Sequence, residues 1–196
     1  MAAIRSICVY CGSSPGRSEI YVAAARQLAA ALVERNVRLV YGGAGIGVMG
    51  AVADRVLELG GQVVGVIPQA LATKEVAHPG LTELHVTASM HERKMRMAEL
   101  ADGFIALPGG IGTLEELFEI WTWAQLGFHA KPCGVLNIAG YYDALIRFLD
   151  HVAAEQFVKP QTRALLMVDT DPAALLERYA GYRAPAVAHW LDRSQT

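Results

Sequence analysis

Only three cysteines occur in the 196 residues, too few for a disulfide framework. Two of them, Cys8 and Cys11, form a C-x-x-C, but they fall in or just after a strand-like run. A reactive thiolate is stabilised at a helix start instead, and a zinc site needs more ligands than this neighbourhood offers. Packing as buried thiols is the expected role. Lysine is scarce too: Lys74, Lys94, Lys131 and Lys159 are the whole set. No apolar run reaches the 18 residues of a membrane-spanning helix, and Met1-Ala2-Ala3-Ile4-Arg5 leads into a strand-like segment without a signal-peptide pattern. A cytoplasmic protein is therefore expected. Neither sign of charge is in excess, the formal net charge being −2, which argues against nucleic acid or an anionic membrane as a partner held by bulk electrostatics. No repeat, linker or low-complexity segment divides the chain. One domain is expected over residues 1–196, with 184–196 as a patternless stretch that is either mobile or packed on a partner chain.

What is present is an alternation. Hydrophobic residues make up 53% of the chain and charged ones 18%, a composition with enough apolar matter for a sizeable core. Short apolar runs at Ser6–Tyr10, Arg38–Tyr41, Gln62–Ile67, Glu83–Val86, Phe104–Leu107, Pro132–Asn137 and Leu165–Val168 read as strands. Between them the spacing predicts helices from Glu19 to Arg35, Val48 to Leu59, Met90 to Ala101 and Leu114 to Leu126. Two more are predicted, around Leu145–Val152 and after Asp171-Pro172. Residues 68–80 read as a polar loop. Strands alternating with helices imply a parallel sheet covered on both faces, and so a single-domain, Rossmann-like, doubly wound α/β fold. In such a fold the ligand lies beyond the carboxyl ends of the strands.

Four segments fall at that edge. Tyr10-Cys11-Gly12-Ser13-Ser14 is a small polar turn. Gly42-Gly43-Ala44-Gly45-Ile46-Gly47-Val48-Met49-Gly50 contains the G-x-G-x-x-G spacing of a dinucleotide site. The acidic residue such a site needs at the end of the next strand is missing from Val66-Ile67-Pro68-Gln69, so a glycine-rich turn facing a nucleotide is the better reading. Ser89-Met90-His91-Glu92 opens a helix with a capping box, and it places Arg93 and Lys94 near the positive helix end, where an anion would compensate them.

The fourth segment is the most informative. Leu107-Pro108-Gly109-Gly110-Ile111-Gly112-Thr113-Leu114-Glu115-Glu116 joins a strand to a helix. Its glycines let backbone N–H groups approach a ligand, and a helix N-terminus favours phosphate. Thr113-Leu114-Glu115-Glu116 also fits a capping box with Thr113 as N-cap and Glu116 reaching back. That puts two carboxylates in the first turn, where they would repel a phosphate unless they faced another part of the ligand. The chemistry suggested is phosphate anchoring with a carboxylate acting on an adjacent sugar, as in cleavage of an N-glycosidic bond.

Pro108-Gly109-Gly110-x-Gly112-Thr113-x-x-Glu116 together with Met90-His91-x-Arg93-Lys94 strongly resembles the Lonely Guy (LOG) family. These are cytokinin-activating phosphoribohydrolases, often mislabelled as lysine decarboxylases. The match runs from the Cys-Gly-Ser-Ser turn through Tyr41-Gly42-Gly43 and Trp123-Ala124-Gln125-Leu126-Gly127 to Asn137 and Tyr141-Tyr142. The resemblance implies hydrolysis of a cytokinin nucleoside 5′-monophosphate to free base and ribose 5-phosphate, without metal or cofactor. It implies Arg93 and Glu116 as the catalytic pair and Gly110, Gly112 and Thr113 on the phosphate. Lys94, Glu115, Glu75 and Thr122 complete the substrate site, with Gly109, Ile111 and Leu114 in the same binding run. Plant members usually carry Tyr where Ile111 stands. The family forms homodimers with active sites near the interface, and the resemblance leaves the base open between AMP and N6-prenylated AMP. The residues leave a second function open, a non-catalytic nucleotide or cofactor carrier using the same cradle. Arg93 and Glu116 separate the two, since a pure binder gains nothing from a carboxylate beside a phosphate.

Overall fold

The computed structural model describes residues 4–72 and 77–185. Within them the strands are β1 (Ser6–Tyr10), β2 (Arg38–Tyr41), β3 (Val63–Pro68), β4 (Glu83–Thr87), β5 (Gly103–Ala106), β6 (Cys133–Leu136) and β7 (Leu166–Asp169). All pair in parallel, in the order β4-β3-β2-β1-β5-β6-β7. The helices are α1 (Glu19–Glu34), α2 (Gly47–Glu58), α3 (Gln69–Ala72), α4 (Met90–Leu100), α5 (Ile111–Leu126), α6 (Asp143–Ala154), α7 (Pro160–Ala164) and α8 (Pro172–Ala180). The expected doubly wound sheet is present. The short α3 and α7 and a 3₁₀ turn at Ile138–Gly140 were not expected, because pieces of three to five residues carry no readable period.

Side chains alternate across the sheet and split the core in two. Ile7 and Val9 of β1 enter a cluster with α1, α2 and α8, built on residues such as Leu28, Val52 and Leu175. Cys8 and Tyr10 enter the opposite cluster with Met97 of α4, Leu117 and Trp121 of α5 and Leu149 of α6. A central strand buried on both faces requires apolar residues at every position, which is why β1 reads as a continuous run. The C-x-x-C is divided by this geometry, with Cys8 on one side of the sheet and Cys11 on the other, both free and buried. Burial pushes both thiols well above the ordinary thiol range, so the packing role holds.

Helix ends follow their local chemistry. Ser18 caps α1 and Asp171 caps α8, accepting from the amides of Ile20 and Ala174. Gly127 closes α5 at φ 82°, a left-handed conformation that a residue without Cβ adopts cheaply. Strand order reverses at the centre: after β1 the chain winds outward to β4, then returns to β5 beside β1 and winds the other way. The carboxyl ends of β1 and β5 therefore open the crevice in which a doubly wound fold holds its ligand.

Candidate active site

The crevice is a cavity of about 260 Å³. Four segments build it: the end of β1 with its turn, the glycine-rich segment after β2, the start of α5 after β5, and one face of α4. The turn and the α5 loop are tied to each other, Gly12 N–H donating to the Pro108 carbonyl at 3.2 Å. Gly109 permits this approach, since a Cβ there would run into Thr113 and the Gly12 amide. Gly110 and Gly112 are different. A Cβ on either would meet no protein atom within 4 Å, and both line the cavity. Nothing in the protein fills the space beside these two positions, which stays open on the cavity side.

The helix start corrects an expectation. α5 begins at Ile111 with Gly110 as its N-cap, and no side chain caps it. Thr113 is not the N-cap but the third helical residue, buried, and the Thr113–Glu116 capping box does not form. The consequence is favourable for an anion. The first-turn amides stay uncapped, no acidic residue lies in the first turn, and Glu115 and Glu116 move to the second turn. Glu116 sits about 7.5 Å along the axis from Ile111, far enough to face a different part of the ligand. At α4 the expected capping box forms in part: Ser89 Oγ accepts from the Glu92 amide at 3.2 Å, while Glu92 Oε2 accepts from the amide of Ala88, one residue before the N-cap, at 2.7 Å.

Arg93 and Glu116 meet at the cavity. Arg93 is buried, its Nε donating to the Val66 carbonyl at 3.0 Å and one terminal nitrogen to the Gly42 carbonyl at 3.3 Å. The other terminal nitrogen lies 3.9 Å from Glu116 Oε1. The backbone of β3 and of the loop after β2 therefore fixes the guanidinium short of a close ion pair. Burial raises the Glu116 carboxyl to about 7 against the pull of Arg93, and Glu115 adds to the rise. A carboxyl that changes protonation near neutrality can accept or give a proton at little cost. Tyr10, Cys11 and Met97 line the same cavity.

The other anticipated residues are distributed unevenly. Ile111 lines the cavity, exposed at 88% on its lip. Leu114 packs partly buried against the core cluster of α4 and α5. Lys94 turns away from the cavity, its ammonium held by Glu115 at 2.7 Å and Glu119 at 2.8 Å. Thr122 is exposed three turns down α5, its hydroxyl donating to the Phe118 carbonyl at 2.7 Å. Glu75 lies outside the described residues, as do residues 186–196 of the C-terminal stretch. The glycine-rich loop after β2 reaches the cavity through Gly42 and Met49, while its later glycines serve backbone contacts. Gly42 and Met49 belong to the turn expected to face a nucleotide, whereas Met97 was not singled out from the sequence. Met97 was within reach as the residue one turn beyond Arg93 on the same helix face.

A protein-family model described as "Possible lysine decarboxylase" matches residues 49–179. A cytokinin riboside 5′-monophosphate phosphoribohydrolase of Rhodococcoides fascians is 51% identical over 168 residues, 85% of each chain. Cytokinin riboside 5′-monophosphate phosphoribohydrolase LOG5 of Arabidopsis thaliana is 47% identical over 179 residues, 91% of this chain and 78% of that one. Among solved structures, the Moco carrier protein of Chlamydomonas reinhardtii superposes with a TM-score of 0.67 at 20% identity, covering 90% of this chain and 97% of that one. That likeness concerns the fold alone. Sequence identity of this level over most of both chains decides the family: the chain belongs to the cytokinin riboside 5′-monophosphate phosphoribohydrolases of the Lonely Guy group.

Proposed function

We propose that the cavity holds a nucleoside 5′-monophosphate and cleaves its N-glycosidic bond, with the phosphate on the uncapped first turn of α5 and the sugar over Glu116. The observation that carries this reading is the empty space at Gly110 and Gly112 one turn and a half from a carboxyl poised near neutrality. Amides of the first turn and the helix dipole supply the anion site. Ionised Glu116 stabilises positive charge growing on the anomeric carbon and takes a proton from the attacking water. The water oxygen bonds to that carbon, the pair of the broken C–N bond goes to the base, and the proton follows it. Arg93 keeps Glu116 ionised often enough to act and holds it in place. The carrier alternative leaves both side chains without work.

The decarboxylase description does not fit the residues present. Pyridoxal phosphate chemistry needs a lysine for the Schiff base. Among the described lysines, Lys94 is engaged by two carboxylates, Lys131 donates to the Ala98 carbonyl at 2.7 Å, Lys159 is exposed, and none lines the cavity.

Lys94, Glu115 and Thr122 enter the proposal through a second copy. Ile120 of α5 lies in the core, while Trp123 on the same helix stays partly exposed. With Met95 and Ala98 of α4 it lines a largely apolar groove of about 310 Å³. A homodimer closing that groove would bring the exposed Thr122 face of α5 toward a partner's cavity, and sedimentation as a monomer at working concentration refutes it. No helix among the described residues is long and apolar enough to cross a membrane, and three buried free thiols suit the reducing cytoplasm. The activity is tested by incubating the chain with N6-isopentenyl-AMP, AMP and adenosine and measuring free base. Release is expected from the monophosphates and little from adenosine; equal turnover of adenosine and AMP removes the phosphate from the reading.

A further inference from the structure

The Gly109–Gly110 peptide joins two residues without Cβ atoms, so little in the loop itself opposes a flip of its plane. A hydroxyl from elsewhere in the fold holds it. Tyr141 donates to the Gly109 carbonyl at 2.6 Å, and the neighbouring Tyr142 donates to the Leu107 carbonyl at 2.7 Å. We infer that Tyr141 is a positioning residue for the anion-binding loop, aiming the Gly110 amide at the phosphate. In a planar trans peptide the C=O and N–H point in opposite directions. Fixing the Gly109 carbonyl on Tyr141 therefore turns the Gly110 N–H away from Tyr141, toward the cavity that Gly110 and Gly112 border.

The two tyrosines do different jobs. The peptide that Tyr142 holds continues into Pro108, which has no N–H to aim, so its buried bond only anchors the loop. The strand-to-helix turn before them is built to deliver both. Asn137 Oδ1 accepts from the Tyr142 amide and its Nδ2 donates to Asp143 Oδ1, each at 2.7 Å. Ala139 and Gly140 turn through positive φ of 50° and 72°, and a Cβ on Gly140 would press on the Asp143 carboxylate. The Tyr141 ring is then set edge-on against Tyr21 and Tyr142, with centroids at 5.7 and 4.9 Å.

This inference rests on the phosphoribohydrolase reading for its substrate. Tyr141→Phe keeps both ring contacts and removes the hydroxyl. Expected are a rise in KM for N6-isopentenyl-AMP and in the Kd for ribose 5-phosphate by calorimetry, each about tenfold, the scale of one hydrogen bond. The value of kcat and the melting midpoint stay near wild type. Tyr142→Phe shows the opposite split, a lower melting midpoint with a smaller change in ribose 5-phosphate affinity. Unchanged ribose 5-phosphate affinity in Tyr141→Phe overturns the inference. A wild-type chain that releases no base overturns the activity instead, and the two ribose 5-phosphate affinities then decide the Tyr141 role by themselves.

Discussion

Two glycine-rich loops meet at the carboxyl edge of the sheet, and their glycines are there for opposite reasons. In the loop after β2, Gly43 and Gly47 adopt φ of 82° and 61°. A Cβ on Gly47 would land in the Ser13–Ser14 backbone, and one on Gly50 would press on the Gly45 carbonyl. Those residues are demanded by the protein itself. In the loop after β5, Gly110 and Gly112 have negative or helical backbone and open space where a Cβ would be. No packing contact of the protein demands glycine there, and the proposed function gives that open space to the phosphate. A G-x-G-x-x-G spacing thus marks close backbone packing in one loop, while the glycines of the other loop border open space at the cavity.

The sharpest way to break this contrast is substitution in the first loop. Gly47→Ala puts a side chain on a left-handed backbone and into a neighbouring loop, two separate costs that together should reach about 3 kcal/mol or more. A chemical-denaturation curve measures it. A variant as stable as wild type would show that the loop relaxes freely and that its glycines carry no packing role.

Glu116→Gln probes the chemistry beside the second loop. Turnover should fall at least ~10²-fold, the scale of losing a catalytic acid–base or electrostatic group. Because Glu116 caps nothing, folding responds through its titration instead. The folded chain keeps the Glu116 proton up to about pH 7, whereas an unfolded glutamate releases it near ~4.3. Between these values the folded state binds more protons, so wild-type stability falls as pH rises through the window. The amide does not titrate. The variant should gain on wild type from about pH 4 to 7, by on the order of 1–3 kcal/mol, and the difference should be flat above. Melting curves across that range measure it, and a constant difference at all pH values would mean that the carboxyl titrates normally.

The sequence was legible where a period is long enough to read. All seven strands and the six longer helices fall within a few residues of their expected places, because buried runs and amphipathic stripes reflect the packing directly. The start of α5 was misread by three residues. Thr113 and Glu116 have the spacing of a cap, but the close approach of Gly12 to Pro108 and Gly109 fixes the chain earlier, and that contact spans nearly a hundred residues. The same limit applies to Lys94. Its position near a helix start is visible in sequence, but its capture by Glu115 and Glu119 on the neighbouring helix depends on how α4 and α5 lie side by side. Arg93 and Glu116 were expected as a pair from the family motif, while the backbone carbonyls that hold the guanidinium off the carboxylate carry no signature at all.

Gly112→Ala gives the smallest effect and the cleanest separation. Gly112 is the second residue of α5, and its Cβ would touch no protein atom. Alanine is a better helix former than glycine, so stability should hold or rise by up to ~1 kcal/mol. The added methyl group instead occupies part of the cavity where a phosphate oxygen or its donors must fit. KM for the nucleoside monophosphate should therefore rise about tenfold, ~1.4 kcal/mol of lost binding, in a protein that melts no earlier than wild type. Gly47→Ala should lose stability with any effect on binding following from it, and Gly112→Ala should lose binding alone. If Gly112→Ala binds ribose 5-phosphate as tightly as wild type does, the space beside Gly112 is ordinary surface and the ligand lies elsewhere along the crevice.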